Sequence, residues 1–378
     1  MIGMRISWFA LEGVLLVLFA CFGSAVSLVL AMLLVLIPLV SLAVNCRVSK
    51  KLHIRLEGAG NLRKEEQGTV WILLENGTVF PVLWVCCKVQ ARNQLNQEQM
   101  TVAVSSMLAG RGKCSIPVQT GSAYCGRIRL SLAQVTVYDC FGLLGIRRRP
   151  EVVTHVTVQP DTFDMQLRVL PDTRSIDESD IYSQERPGDD LTETYQIREY
   201  VPGDNPRQVH WKLSGKFDRL IVRDPALPII RNILVFWERT GEPADQALID
   251  AQAEVIVSVC RGLIDQGMVF SVGWNDTDRD LCIVHEIPDM DALVGILPRL
   301  MRATGKPDGV SGADLLVRTR PDALCSHMLY LAAEPSAETQ QMREFGNVTM
   351  LVCSENAPAD SIIFDAVHYP QQLSQIDL

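Results

Sequence analysis

From Ile6 to Val44 the chain is apolar almost throughout, broken by Glu12, the Cys21-Phe22-Gly23-Ser24 stretch and Pro38. As helix, at a rise of about 1.5 Å per residue, this run extends roughly 58 Å, close to two crossings of a hydrocarbon layer about 30 Å thick. A tight hairpin turning near Gly23 fits that length and defines a two-helix anchor over residues 1–46. A cleaved signal peptide has a single apolar core of roughly 7 to 15 residues, so it accounts for the first half only. Arg5 precedes the run, Arg47, Lys50, Lys51 and Arg55 follow it, and the turn carries no cation. The positive-inside rule then places both ends in the cytoplasm, making the chain a multi-pass protein of the cell membrane with a cytoplasmic soluble region. Glu12 lies within two turns of the helix start and can reach the headgroups; an intramembrane functional acid is the alternative.

The chain has 378 residues, so enough remains after the anchor for about two domains, each with its own core. A net charge of −9 argues against a nucleic-acid partner, because displacing counterions from phosphates needs cationic surface. The 11 cysteines are odd in number and lack framework spacing, which predicts free thiols in a reducing compartment.

Between residues 47 and 160 short alternating runs are separated by turn residues. Strands are expected at Thr69 to Asn76, Leu83 to Val89, Met100 to Val104, Gly112 to Val118, Arg127 to Leu132 and Val152 to Gln159, with Asn76-Gly77 as a turn. Many short strands and no long helix predict an all-β sandwich. Residues 161–194 turn acidic and read as a partly ordered connector. From 226 to 378 the pattern is α/β. A buried strand over Asn232 to Trp237 leads to a helix opening at Pro243, with Leu248, Ala251, Val255, Val259 and Leu263 at helical spacing, ending at Gly267. Further strands are expected at Met268 to Trp274, His327 to Ala332 and Val348 to Val352, with a short helix over Pro335 to Phe345. Such alternation implies a mainly parallel sheet flanked by helices.

The most distinctive segment, over 195–225, opens with Tyr195-Gln196-Ile197-Arg198-Glu199-Tyr200-Val201-Pro202-Gly203-Asp204 and runs through Arg207 to His210-Trp211-Lys212. Pro202-Gly203-Asp204 has the chemistry of a turn: proline fixes φ, glycine accepts positive φ and aspartate caps backbone amides. That turn would bring Arg198 and Glu199 near Arg207 and Lys212. Two readings follow: an ion-paired junction with Trp211 as its apolar plug, or a partner or ligand site.

This segment resembles the signature of the bacterial membrane-protein family called domain of unknown function 58. Leu220-Ile221-Val222-Arg223 fits the same pattern, and Tyr138-Asp139-Cys140-Phe141-Gly142-Leu143-Leu144 resembles that family's Asp-Pro-Phe-Gly-Leu turn, with cysteine replacing proline. Members of the family often carry a C-terminal region similar to a von Willebrand factor A domain, a Rossmann-type α/β fold whose first strand ends in Asp-x-Ser-x-Ser and holds a divalent metal. Here that strand reads Ile233-Leu234-Val235-Phe236-Trp237-Glu238-Arg239-Thr240-Gly241, so Trp237 stands where the first aspartate is expected. Glu238 and Thr240 supply too few hard oxygens, and the region reads as degenerate, with no metal or other cofactor.

No phosphate loop, His-Glu-x-x-His helix, Cys-x-x-Cys pair or nucleophile elbow occurs. The leading expectation is a membrane-anchored, non-catalytic interaction or assembly protein of the cell envelope. The resemblance implies as partners a MoxR-type AAA+ ATPase and a transglutaminase-like membrane protein. Its contact residues would be Arg198, Glu199, Tyr200, Gly203, Asp204, Arg207, His210, Trp211 and Lys212. The alternatives are acid-base hydrolysis on Glu199, Asp204 and His210, or anion sensing by Arg198, Arg207 and Lys212.

Overall fold

A computed structural model describes residues 2–23, 25–58, 60–139, 142–168, 182–202, 204–205, 208–228, 233–240, 245–276, 280–305, 310–320, 327–333, 347–353 and 361–377. The chain opens with helices α1 (Ile2–Phe22) and α2 (Ala25–Lys50). Nine strands follow: β1 (Leu52–Glu57), β2 (Asn61–Leu62), β3 (Gly68–Asn76), β4 (Val82–Asn93), β5 (Gln99–Leu108), β6 (Lys113–Thr120), β7 (Gly126–Tyr138), β8 (Gly145–Arg148) and β9 (Val153–Val158). Next come β10 (Gln166–Arg168), β11 (Tyr182–Glu199), α3 (Trp211–Phe217), β12 (Ile221–Pro228), β13 (Ile233–Trp237), α4 (Gln246–Asp265), β14 (Phe270–Asp276) and β15 (Leu281–Ile287). The chain closes with α5 (Met290–Leu300), α6 (Gly312–Thr319), β16 (His327–Ala332), β17 (Asn347–Val352), β18 (Ser361–Ile363), α7 (Tyr369–Gln372) and β19 (Gln375–Asp377).

Two compact units result, the first comprising residues 1–163, 241–257 and 291–307, the second 164–240, 258–290 and 308–378. In the first unit, α1 turns into α2 at Gly23, whose φ of +56° is the left-handed value glycine adopts without strain. Among the described residues, α2 is the one helix both long and apolar enough to cross a bilayer. The apolar part of α1, Ile6–Phe22, is shorter, about 25 Å of helix. Along its apolar run α2 is covered at Ser27, Ala31 and Pro38, small residues where backbones approach closely, and toward its end at Asn45, Val48 and Ser49. One carboxylate oxygen of Glu12 is enclosed without a hydrogen-bond partner, so the side chain is not wholly turned outward.

The antiparallel sheet β1-β3-β6 faces the sheet β2-β9-β7-β4-β5 across one core, with β8 paired to β7. Alternation drives this arrangement: Val70, Ile72 and Leu74 of β3 meet Val85, Cys87, Val89, Leu130, Leu132 and Val137 inside, each burial contributing about 1.5–3 kcal/mol for the larger aliphatics. All six strands expected here are found, most of them longer than read. β3 ends at the expected turn Asn76-Gly77, and the chain crosses there from one sheet to the other, since β3 pairs with β1 and β6 while β4 pairs with β5 and β7. The nine described cysteines are free, as expected, and burial pushes the Cys87 thiol up to about 12.

Also in the first unit, Asp250 and Glu254, one turn apart on α4, both grip Lys64 at 2.5 Å. The second oxygen of Asp250 accepts the Cys125 amide at 2.6 Å. Burial acts to lower the Lys64 pKa, but hydrogen bonds and attraction from the two carboxylates together hold it above the ordinary lysine value.

The second unit is built on a six-stranded sheet ordered β15-β14-β13-β16-β17-β18, parallel except for the edge strand β15. Leu234 and Phe236 pack with Met328, Tyr330 and with Ala313, Leu315 and Leu316 of α6. The end of α4 stops as expected at Gly267, whose φ is +70° and whose amide returns to Ile264 O. Residues 182–199, read as part connector and part signature, instead form β11, paired antiparallel with β12 through several register shifts. The expected helix over 335–345 and the helix start at Pro243 lie outside the described residues.

Replacing Lys64 with methionine would leave Asp250 and Glu254 covered and without their cation. We expect Lys64→Met to lower the unfolding free energy by about 3–5 kcal/mol, read as an earlier denaturant midpoint at unchanged slope.

Candidate functional site

The end of the β11–β12 ribbon carries the distinctive segment. Pairing sets Arg198 opposite Val222 and Gln196 opposite Asp224, so alternation puts Gln196, Arg198 and Asp224 on one face. Arg198 Nε donates to Asp224 Oδ2 at 2.9 Å, and its Nη1 and Nη2 donate to both oxygens of Asp204 at 2.8 and 2.9 Å. Asp204 also accepts the Val201 amide at 2.8 Å, while its own amide donates to Val201 O at 3.0 Å. The turn is thus closed twice, by backbone and by a bidentate fork. The hydrogen bonds from Arg198, then that from the Val201 amide, hold the Asp204 carboxyl down at about 2. The same bonds from Asp204 and Asp224 hold the Arg198 guanidinium above its ordinary value.

Helix α3 follows directly. His210 precedes it, its Nδ1 accepting the Leu213 amide at 3.3 Å, so this histidine serves as the cap. Ser214 fastens the helix to β12: its hydroxyl donates to His210 O at 3.1 Å and accepts the Ile221 amide at 2.9 Å. Tyr200 donates its amide to Leu220 O. Glu199 pairs with Arg219, a partner not expected from the sequence. Lys212 is exposed. Gly203 and Arg207 lie outside the described residues.

Trp211 is not a plug. It is 69% exposed, because it opens a helix whose inward position is taken by Ser214. Val201, Phe217 and Leu220 are exposed as well, and the cations of Lys216 and Arg219 stand 5.7 and 5.9 Å from the Phe217 ring centre.

A second constellation was legible only in part. Glu238, just past β13, is buried, and all of its acceptor positions are engaged. Oε1 accepts Asn275 Nδ2 and the Thr240 amide, each at 2.9 Å; Oε2 accepts the Gly312 amide at 2.6 Å and the Tyr330 hydroxyl. Gly312 is required, since a Cβ there would lie 2.7 Å from that oxygen. Burial first, then the Glu238 charge, raises the Tyr330 phenol far above its ordinary value. Glu238 and Thr240 were visible as the tip of a strand. Asn275, Tyr330 and Gly312 come from three other elements, as Asp224, Arg219 and Ser214 do around the first site.

No protein-family model matches the chain, and no curated protein matches it. Among solved structures, the chain is similar to the CARDB domain of a Pyrococcus furiosus protein, at 12% identity and a TM-score of 0.22, covering 28% of this chain and 86% of that one. It is similar to an exo-β-N-acetylglucosaminidase from Vibrio harveyi at 8% identity and a TM-score of 0.23, over 86% of this chain and 81% of that one. A Bacteroides uniformis β-glucuronidase gives 10% identity and a TM-score of 0.21, over 79% and 33%. With scores this low, none of these likenesses bears on the chemistry of either constellation.

Two outcomes follow. Because its folded pKa is depressed, Asp204 stabilises the turn fully above the ordinary carboxylate value near 4 and loses that contribution as pH falls through about 2. The Asp204 carboxylate carbon resonance should therefore hold its position down to about pH 4 and move below it. Tyr330→Phe removes one donor from a buried carboxylate, and the unfolding free energy should drop by about 1.5–3 kcal/mol in chemical denaturation.

Proposed function

We propose that the chain is a multi-pass, membrane-anchored and non-catalytic interaction or assembly protein of the cell envelope. Its soluble region faces the cytoplasm, and the segment Arg198 to Lys212 is its docking surface. The observation that carries this reading is the division of labour at the turn: the charges of Arg198, Asp204 and Asp224 are spent internally, while Trp211, Val201, Phe217 and Leu220 are presented outward beside Lys212, Lys216 and Arg219. Rigid display of Trp with Arg and Lys is the mixture that interface hot spots concentrate. The resemblance to domain of unknown function 58 nominates a MoxR-type AAA+ ATPase as the partner in contact and a transglutaminase-like membrane protein as a neighbour. In this reading residues 226–378 are a degenerate von Willebrand factor A-like domain. In it Glu238 ties the residues after β13 to β14, to the start of α6 and to β16 through hydrogen bonds instead of sharing a cation.

The alternatives are less well supported. An anion sensor would need Arg198, whose guanidinium already meets two carboxylates. Hydrolysis on Glu199, Asp204 and His210 would need a mobile proton, yet Nδ1 of His210 caps a helix and Asp204 is forked to arginine.

Docking and structural roles separate on substitution. Trp211→Ala should leave the melting temperature within about 1 °C, since exposed changes fall within about 0.5 kcal/mol, while retention of the ATPase by the detergent-solubilised full chain is lost. Asp204→Ala should reduce both. Full retention of the ATPase by Trp211→Ala would sink the docking surface.

A further inference from the structure

Where α2 emerges from its apolar run, the first unit holds a cleft of about 470 Å³ that neither constellation above involves. Arg47 and Lys50 reach it from the last turns of α2, Lys51 from the residue after, and Arg111 from the turn between β5 and β6. Val79 and Phe80, both exposed, line the same cleft from the loop between β3 and β4. Four cations converge here, and among the described residues no carboxylate lines the cleft or forms an ion pair with any of them.

The walls are fixed by hydrogen bonds. Asn76, 1% exposed, donates to Phe80 O at 2.8 Å and Ala109 O at 3.1 Å, and accepts from the amide and hydroxyl of Thr78 at 3.0 and 2.7 Å. Gly77 donates to Lys51 O, and Arg111 to Thr78 O. Gly110 leaves room for this contact, since a Cβ there would sit 2.0 Å from Val79 O. Arg111 itself is held at a φ of +52°, uncommon for a residue other than glycine and enforced by the same turn. Such repeated fixing of one loop against one helix end keeps four like charges together despite their repulsion.

Depth identifies the ligand. The apolar run of α2 ends at Val44, so Arg47 lies about 4.5 Å and Lys51 about 10 Å farther along the helix axis, which is the level of lipid phosphates when the hydrocarbon boundary lies near Val44. Clustered cations just beyond a spanning helix attract anionic lipid at about 1 kcal/mol each, and an exposed Phe and Val beside them can enter the acyl boundary. We infer that this cleft binds the phosphate headgroup of an anionic membrane phospholipid, with Arg47, Lys50, Lys51 and Arg111 around the phosphate and Val79 and Phe80 against the acyl chains. The inference rests on the membrane-anchored reading.

The test uses the full chain, delipidated in neutral detergent, with lipid binding counted by native mass spectrometry. The probes are dioctanoyl phosphatidylglycerol, dioctanoyl phosphatidylcholine and inorganic phosphate. Phosphatidylglycerol should bind saturably, about fivefold more weakly in Lys51→Gln or Arg111→Gln and about 25-fold in the double variant. The exposed Lys88→Gln, away from the cleft, should match the unaltered chain, and all variants should melt alike. Equal affinity in the double variant overturns the site; so does equal binding of phosphatidylcholine, and so does inorganic phosphate binding as tightly as the lipid. Carbonate extraction of native membranes separates the two readings. Release of the unaltered chain would defeat the membrane anchor and the lipid assignment with it, whereas retention with unchanged affinities in the variants would defeat the cleft alone.

Discussion

Where the chain leaves a sheet, a single carboxylate or carboxamide takes over the hydrogen bonds that the next strand would have made, and the rest of the structure depends on those side chains. Asn76 closes the loop after β3, and Asn93 does the same after β4 by accepting the Leu95 amide and donating to Cys125 O. Asp139 receives the Leu144 amide, Asp204 the Val201 amide, and Glu238 those of Thr240 and Gly312. A buried polar backbone group left unmatched costs about 1–3 kcal/mol, so these few residues decide which loop conformations are accessible.

The same economy governs charge. Acidic residues outnumber basic ones, 44 to 35, yet many of the acids that matter point inward or along the surface to named partners: Asp250 and Glu254 to Lys64, Asp204 and Asp224 to Arg198. Cations gather without an acidic partner at the end of α2, whereas around α3 Arg219 is paired with Glu199 and Lys212 and Lys216 are exposed. A modestly acidic chain therefore presents two local surfaces of the opposite sign, each beside exposed apolar side chains.

Much of the secondary structure was legible because alternation and helical spacing are local. Val70, Ile72 and Leu74 announce β3 by period two, and Ala251, Val255 and Val259 announce α4 by periods near four. What stayed hidden lay where local chemistry serves a distant purpose. Asn76-Gly77 signals a turn but not its destination: the asparagine spans to Ala109 and the chain changes sheets. The acids of residues 182–194 read as solvated connector, yet a partner strand thirty or more residues on makes them part of β11.

The sequence by itself determined the apolar run at the amino end, the division into β-rich and α/β patterning, and the residues of the turn at 201–204, because hydrophobic period and turn chemistry are properties of neighbours along the chain. Only the tertiary structure decided that Arg198 belongs to Asp204 and Asp224, that Trp211 faces outward, that Glu238 is answered by Asn275, Tyr330 and Gly312, and that Arg111 joins the cations of α2. Each of those pairings spans a loop or a crossover. Its free energy depends on register and close approach between segments that do not adjoin along the chain, which residue types alone do not encode.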